Sequence, residues 1–164
     1  MAASTITVRR VNYASVVDAQ ALRFLLNHYA CDPMGGGQPI APAALERLCS
    51  DLAARPFAFS FIAWNAADEP IGLANCFEGY STFKAQPLIN IHDIVVHANA
   101  RGQGVAQALM QAVQAEGKAR KACKITLEVL TGNAIAMKSY ERFGFAPYAL
   151  DPKAGTATFM QKWL

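Results

Sequence analysis

The sequence predicts an α+β fold: a mixed, largely antiparallel central sheet flanked by helices, in the order βααβββαβαββ, formed by residues 1–164 as a single domain. Three observations carry this. Stretches with apolar residues at period two stand beside stretches at period three to four. Three strand-like stretches follow one another in the middle of the chain, joined by short turns. Hydrophobic residues make up 53% of the 164 residues and charged residues 16%, which supplies a sizeable core and excludes global disorder or a coiled coil.

Thr5 to Val11 reads as a first strand. Ser15 is placed as an N-cap, with Asp18 three residues on, and Leu22, Leu25, Leu26 and Tyr29 follow at helical spacing over Val16 to Ala30. The breaker-rich run Cys31 to Pro39 must be a loop. Pro42 opens a second helix with Leu45, Leu48, Cys49 and Leu52 on one face, stopped by Pro56. Phe57 to Trp64, Ile71 to Tyr80 and Pro87 to Val96 are strands. The third alternates at first and then becomes continuously apolar, as a strand buried on both faces does. Arg101-Gly102-Gln103-Gly104 leads into a helix carrying Val105, Leu109, Ala112 and Val113 inward. Lys124 to Leu130 is the next strand, and Asn133 caps a helix that Gly144 ends. Phe145 to Leu150 and Thr156 to Trp163 are expected as two last strands around a turn at residues 151–155.

The net charge of +3, from 15 basic and 12 acidic residues, is too mild to point to nucleic acid or a membrane. No apolar run approaches the roughly 20 residues that span a bilayer. The four cysteines are widely spaced with no CxxC. They are expected as reduced thiols of a cytoplasmic protein, with no metal site.

The strongest chemical signal is the strand followed by Arg101-Gly102-Gln103-Gly104-Val105-Ala106 and a helix. Glycines at such a turn allow close backbone approach, and the amides and positive end of the helix suit phosphate. The run is neither GxxxxGK[ST] nor GxGxxG, because Gln107 stands where the third glycine would be. The glycines alone could also be a helix-entry turn without a ligand, a reading that the long apolar strand before them weakens by giving the turn a rigid base.

Arg101-x-x-Gly104-x-Ala106 resembles the acetyl-CoA signature of the GNAT superfamily of N-acyltransferases. Around it lie Asp93-Ile94-Val95-Val96 before, then Leu127-Glu128-Val129 and Asn133-x-x-Ala136-x-x-x-Tyr140-x-x-x-Gly144-Phe145 after. The resemblance extends over essentially the whole chain. It implies an acetyl-CoA-dependent N-acetyltransferase acting on a primary amine, as a possible homodimer. It also implies that the pantetheine arm pairs with the backbone of Ile94, Val95 and Val96, where the central strand splits from a parallel neighbour, often at a bulge. The pyrophosphate would lie on the amides of Gly102, Gln103, Gly104, Val105, Ala106 and Gln107, with Arg101 at the turn. Asn133 and Ala136 would meet the CoA arm, although Asn133 can equally be a helix N-cap. Tyr140 matches the family's acid for the leaving thiolate; a packed core tyrosine is the other reading. A backbone N–H near Val95 would serve the developing oxyanion.

The base is open between His92, Asp93 and solvent. Imidazole titrates near ~6.5 in model peptides, which suits a base at neutral pH. As strand neighbours, His92 and Asp93 are expected to point to opposite faces. Tyr80-Ser81-Thr82-Phe83-Lys84 with Ile91-His92-Asp93-Ile94 is similar to the diamine and polyamine acetyltransferase branch. That branch usually carries Glu where this chain has His92. Asp32, in the glycine-rich loop, and Glu78 are candidate amine contacts, with His92. His28 and His97 carry no such signal. A non-catalytic acyl-CoA-binding domain of the same fold stands as the alternative.

Overall fold

The computed structural model describes residues 5–164. The chain divides into two compact units, one through Leu127 and one over Glu128–Leu164.

The first unit is a five-stranded sheet in the order β1-β2-β3-β4-β5, with β1 Thr7–Arg10, β2 Ala58–Trp64, β3 Pro70–Ser81, β4 Gln86–Val96 and β5 Ile125–Leu127. The first four strands pair antiparallel, and β4 pairs with β5 in parallel. Helix α1 spans Val16–Cys31, and its Ser15 cap accepts from the amide of Asp18 at 3.3 Å. The Asp18 carboxylate returns to the amide of Asn12 at 2.8 Å. A 3-10 turn at Pro33–Gly35 interrupts the following loop. Helix α2 spans Pro42–Ala53 with proline in its first turn, where a missing N–H costs no intrahelical bond.

Each face of the sheet has its own packing. Leu22 and Leu25 of α1, with Cys49 and Leu52 of α2, bury Ile62, Leu73 and Val95. Leu22, Leu25 and Leu73 are completely buried; side chains of this kind contribute about 1.5–3 kcal/mol each. Helix α3, Val105–Ala119, brings Val105, Leu109 and Val113 to the sheet from the other side. Gly72 permits this approach: a Cβ there would lie 2.6 Å from Cγ1 of Val105. The sheet and its helices thus match the expected α+β architecture.

The second unit holds helix α4, Ala134–Phe143, capped by Asn133 and ended by Gly144 in the left-handed region at φ +106°. The two strands expected over Phe145–Leu150 and Thr156–Trp163 are corrected: no residue after Leu127 joins a ladder among the described residues. The amide of Phe145 is bonded to the carbonyl of Tyr140 and so belongs to the helix end. Pro147 offers no N–H, and Asp151 accepts from the amide of Lys153 to start a 3-10 turn at Pro152–Ala154. Alternating apolar residues become a strand only beside a neighbouring edge. Similarly, β5 is three residues long rather than Lys124 to Leu130.

Candidate active site

The register between β3 and β4 slips by one residue in the middle of the sheet. Asn75 pairs with Asp93, whereas Cys76 pairs with Ile91, so His92 is the extra residue of a β-bulge. A bulge shifts the alternation of side chains. Asp93 lies opposite Asn75, and Val95 opposite Leu73, on the face that α1 covers. Phe77 belongs to that same face, and its ring meets the His92 ring edge-on at 5.3 Å. His92 and Asp93 therefore share one face. The expectation that they point to opposite faces fails, because it assumed an unbroken alternation.

Asp93 is half-buried and held from the core. Its Oδ2 accepts from Nδ2 of Asn75 at 3.0 Å. Ser60 Oγ lies 2.7 Å from Oδ1 of Asn75 and 2.8 Å from the phenol oxygen of Tyr13. Burial pushes the phenol of Tyr29, at the end of α1, upward, and the charges of Asp93 and Asp32 push it further. Burial also lifts the Cys76 thiol to about 12, with Asp93 adding to it. His92 is exposed, with its ring against Phe77.

Asp32 and Arg101 meet at 2.9 Å. The amide of Met34 and then the Arg101 guanidinium hold the Asp32 carboxyl below its ordinary range. Beside this pair, the rings of His28 and His97 lie 4.5 Å apart and Phe24 stacks on His97 at 5.5 Å. Burial, then His97 and Arg101, lowers the pKa of His28. Its Nε2 is buried without a hydrogen-bond partner. Nothing in the sequence marked this pair. Glu78, the other expected amine contact, is bonded to Arg120 at 2.8 Å. Arg120 also pairs with Glu116 and covers the ring of Phe59 at 4.5 Å. Both expected carboxylates thus already face an arginine.

The glycine turn has the shape the motif requires. Gly102 and Gly104 take φ values of +77° and +87°, where a Cβ would be strained. Gly104 makes no side-chain cap at the start of α3, and the positive end of the helix dipole lies at this first turn. Next to it, the ladder between β4 and β5 stops at Ile91 and Leu127, one residue before the bulge. The amide of His97 bonds to the carbonyl of Ile71 across the β3 side. By alternation, the backbone of Val95 also faces β3, while Ile94 and Val96 turn theirs toward the side that β5 has left. Of the three residues expected to meet the pantetheine arm, Ile94 and Val96 thus present their backbone to the opened side and Val95 does not. This opened strand edge beside an uncapped helix start is a cradle that suits an extended amide arm ending in a pyrophosphate.

In the second unit, Oδ1 of Asn133 accepts from the amide of Ala136 at 3.1 Å. Asn133 is therefore a helix cap, as one of its two readings required. Tyr140 is half-buried, with its ring edge-on to Phe145 at 6.0 Å. Among the described residues no group of three or more His, Cys, Asp or Glu is arranged to hold a metal ion, all four cysteines are free, and no helix is long and apolar enough to cross a membrane.

A mixed sheet opened between β4 and β5, beside a glycine-turned helix, fits an acetyltransferase domain. The chain belongs to the acetyltransferase (GNAT) family, whose sequence pattern matches residues 22–145. Among solved structures it is similar to a transcriptional regulator from Bacillus halodurans C-125, at 21% identity over 97% of this chain and 100% of that one, with a TM-score of 0.78. It is similar to a ribosomal-protein-alanine N-acetyltransferase from Brucella melitensis biovar Abortus 2308, at 18% identity over 97% and 100% of the two chains, with a TM-score of 0.76. An aminoglycoside N-acetyltransferase in complex with CoA shares 22% identity over 97% of this chain and 95% of that one, with a TM-score of 0.75. No curated protein matches the chain. At these identities the structural likeness shows the fold.

Proposed function

We propose that this chain is an acetyl-CoA-dependent N-acetyltransferase that acetylates a primary amine, on a small molecule or a protein, by direct attack in a ternary complex. The observation that carries this is the bulge at His92. It turns an imidazole and a carboxylate to one face, just where β4 parts from β5.

Acetyl-CoA supplies the thioester carbon that the amine attacks. The chain's own residues do the rest. Ile94 and Val96 offer backbone N–H and C=O groups to the amide-bearing arm, as an added strand would take them. The amides from Gly102 to Gln107 and the Arg101 guanidinium take the pyrophosphate. Asn133 and Ala136 line the arm by their place in the family motif. An alkylammonium, with a pKa near ~10, must lose a proton before it can attack. Asp93, whose partner is an amide rather than an arginine, holds the ammonium. His92, exposed on the same face, removes the proton directly or through water. Tyr140, placed by its motif, returns a proton to the leaving thiolate. Asp32 contacts the acceptor only after exchanging its arginine partner, whereas Glu78, held by Arg120 at the end of α3, lies on the opposite face of the sheet from Asp93.

Residues 1–164 serve as a single N-acetyltransferase domain, in the cytoplasm. The homodimer belongs to this proposal as well. Exposed Phe159, Met160 and Trp163 offer apolar surface, and sedimentation showing only monomer at high micromolar concentration would remove it. The activity is tested by amine-dependent release of free thiol from acetyl-CoA across a panel of polyamines, aminoglycosides and peptide N-termini. Amine-dependent thiol release is expected. Acetyl-CoA binding with no release for any amine would instead make the chain a non-catalytic acyl-CoA-binding domain.

A further inference from the structure

Two strands of the sheet are apolar along their buried stretch except at one position each. Ser60 interrupts β2 and Asn75 interrupts β3, and they are 1% and 4% exposed. Burying such groups costs free energy unless every donor and acceptor is matched. Here they are matched to one another and form a line from Tyr13 through Ser60 and Asn75 to Asp93.

The line has one direction. A carboxylate only accepts, so Asn75 must turn Nδ2 toward Asp93. Its Oδ1 then faces Ser60 and must accept the single hydroxyl proton of Ser60. Ser60 can consequently only accept from Tyr13. Burial pushes the Tyr13 phenol upward, more than the bond to Ser60 lowers it, so it stays a donor through the neutral range. Three hydrogen bonds of 2.8, 2.7 and 3.0 Å thus point the same way and end on one oxygen of Asp93. Chains of this kind strengthen each bond within them.

We infer that Asn75 is the positioning residue of the active site: with Ser60 and Tyr13 behind it, it fixes Oδ2 of Asp93 so that Oδ1 is aimed at the acceptor ammonium. The inference rests on the activity proposed above. It concerns residues on β2, β3 and the segment before α1, outside the proposed donor site at β4 and the glycine turn. The bulge makes the device necessary. Residues at a bulge lack the regular ladder that orients side chains elsewhere in a sheet, and a misplacement of about 1 Å can cost roughly a hundredfold in rate.

The test is a double-mutant cycle in the full chain, with the amine that the wild type turns over best. Asn75→Leu should lower kcat/KM for the amine about ten- to a hundredfold. Acetyl-CoA affinity, read by calorimetry, should stay within about twofold of wild type. In an Asp93→Asn background the same change should cost less than about twofold, because its effect passes through Asp93. Tyr13→Phe and Ser60→Ala remove only hydroxyls. Each should lower kcat/KM roughly threefold, the scale of one hydrogen bond; they carry the test if Asn75→Leu does not fold. Losses that multiply undiminished in the Asp93→Asn background overturn the inference. So do Tyr13→Phe and Ser60→Ala proteins with wild-type kcat/KM. A wild type that turns over no amine overturns the activity itself, and the inference with it; an active wild type with multiplicative losses overturns only the positioning role.

Discussion

Arg101 and Asp32 are 69 residues apart in sequence and form an ion pair at 2.9 Å. Asp32 caps the 3-10 turn of the glycine-rich loop through the amide of Met34. Arg101 opens the glycine turn that leads into α3. One ion pair therefore ties the loop after α1 to the proposed pyrophosphate site. An anion arriving at Arg101 competes with the Asp32 carboxylate for the same guanidinium. Asp32→Asn should bind acetyl-CoA a few-fold more tightly than wild type, and Arg101→Ala roughly tenfold more weakly. Calorimetric titration of both variants checks the pair. Equal weakening in both would show that the carboxylate supports the donor site rather than competing with it.

The histidine pair beside this salt bridge makes stability depend on pH. The pKa of His28 is lowered from its ordinary 6.5 by burial, then by His97 and Arg101, against a smaller opposing effect of Asp32. As pH falls below about 6.5, the unfolded chain takes up this proton first. It then binds more protons than the folded chain, so stability drops with falling pH until the lowered native value is passed. Between pH 7.5 and 5.5, the thermal midpoint of wild type should fall about 2 °C further than that of His28→Phe. Parallel curves would show that His28 takes its proton as readily in the fold as outside it.

Much of the fold was legible in the amino-acid order, and the reasons differ by element. Helices α1, α2 and α4 begin at Ser15, Pro42 and Asn133 as their caps and prolines indicated, because caps act within one turn of chain. The family resemblance implied a bulge where the strand splits, but its place at His92 was not legible, since it is a relation between two strands and leaves no mark on either alone. Ser60 and Asn75 did leave a mark: each is a lone polar residue inside an apolar run, a pattern that asks for a buried partner. The pairing of Asp32 and Glu78 with arginines was hidden by distance along the chain. The strands expected after Phe145 show the limit of periodicity, which describes a face but supplies no edge to pair with.

Gly104 offers a direct test of the donor site. It sits at φ +87° at the head of α3, with nothing within 4 Å of the position of a Cβ. Gly104→Asp strains that backbone and sets a negative charge where the pyrophosphate is proposed to lie. Acetyl-CoA should raise the thermal midpoint of the wild type, since it binds only the folded chain. The variant should lose most of that rise. A Gly104→Asp protein that binds acetyl-CoA as tightly as wild type would move the phosphates elsewhere.

The base and the acid can be separated by their pH behaviour. If His92 takes the proton of the amine, His92→Ala should lower kcat/KM most near neutral pH. The loss should shrink at high pH, where more of the amine is already neutral. His92 is exposed, with its ring edge-on to Phe77, so its removal should leave the thermal midpoint almost unchanged. An acidic limb that keeps its shape in His92→Ala would pass the role to Asp93 or to water. Tyr140→Phe answers a different question. The ring still packs against Phe145, and only the hydroxyl is lost. If that hydroxyl protonates the departing thiolate, kcat should fall by roughly 10²–10⁴-fold with acetyl-CoA affinity nearly intact. A stronger thiol leaving group, such as an acetyl thioester of a more acidic thiol, should recover part of the loss in Tyr140→Phe and none of the loss in His92→Ala. Recovery in both, or in neither, would separate Tyr140 from the leaving group.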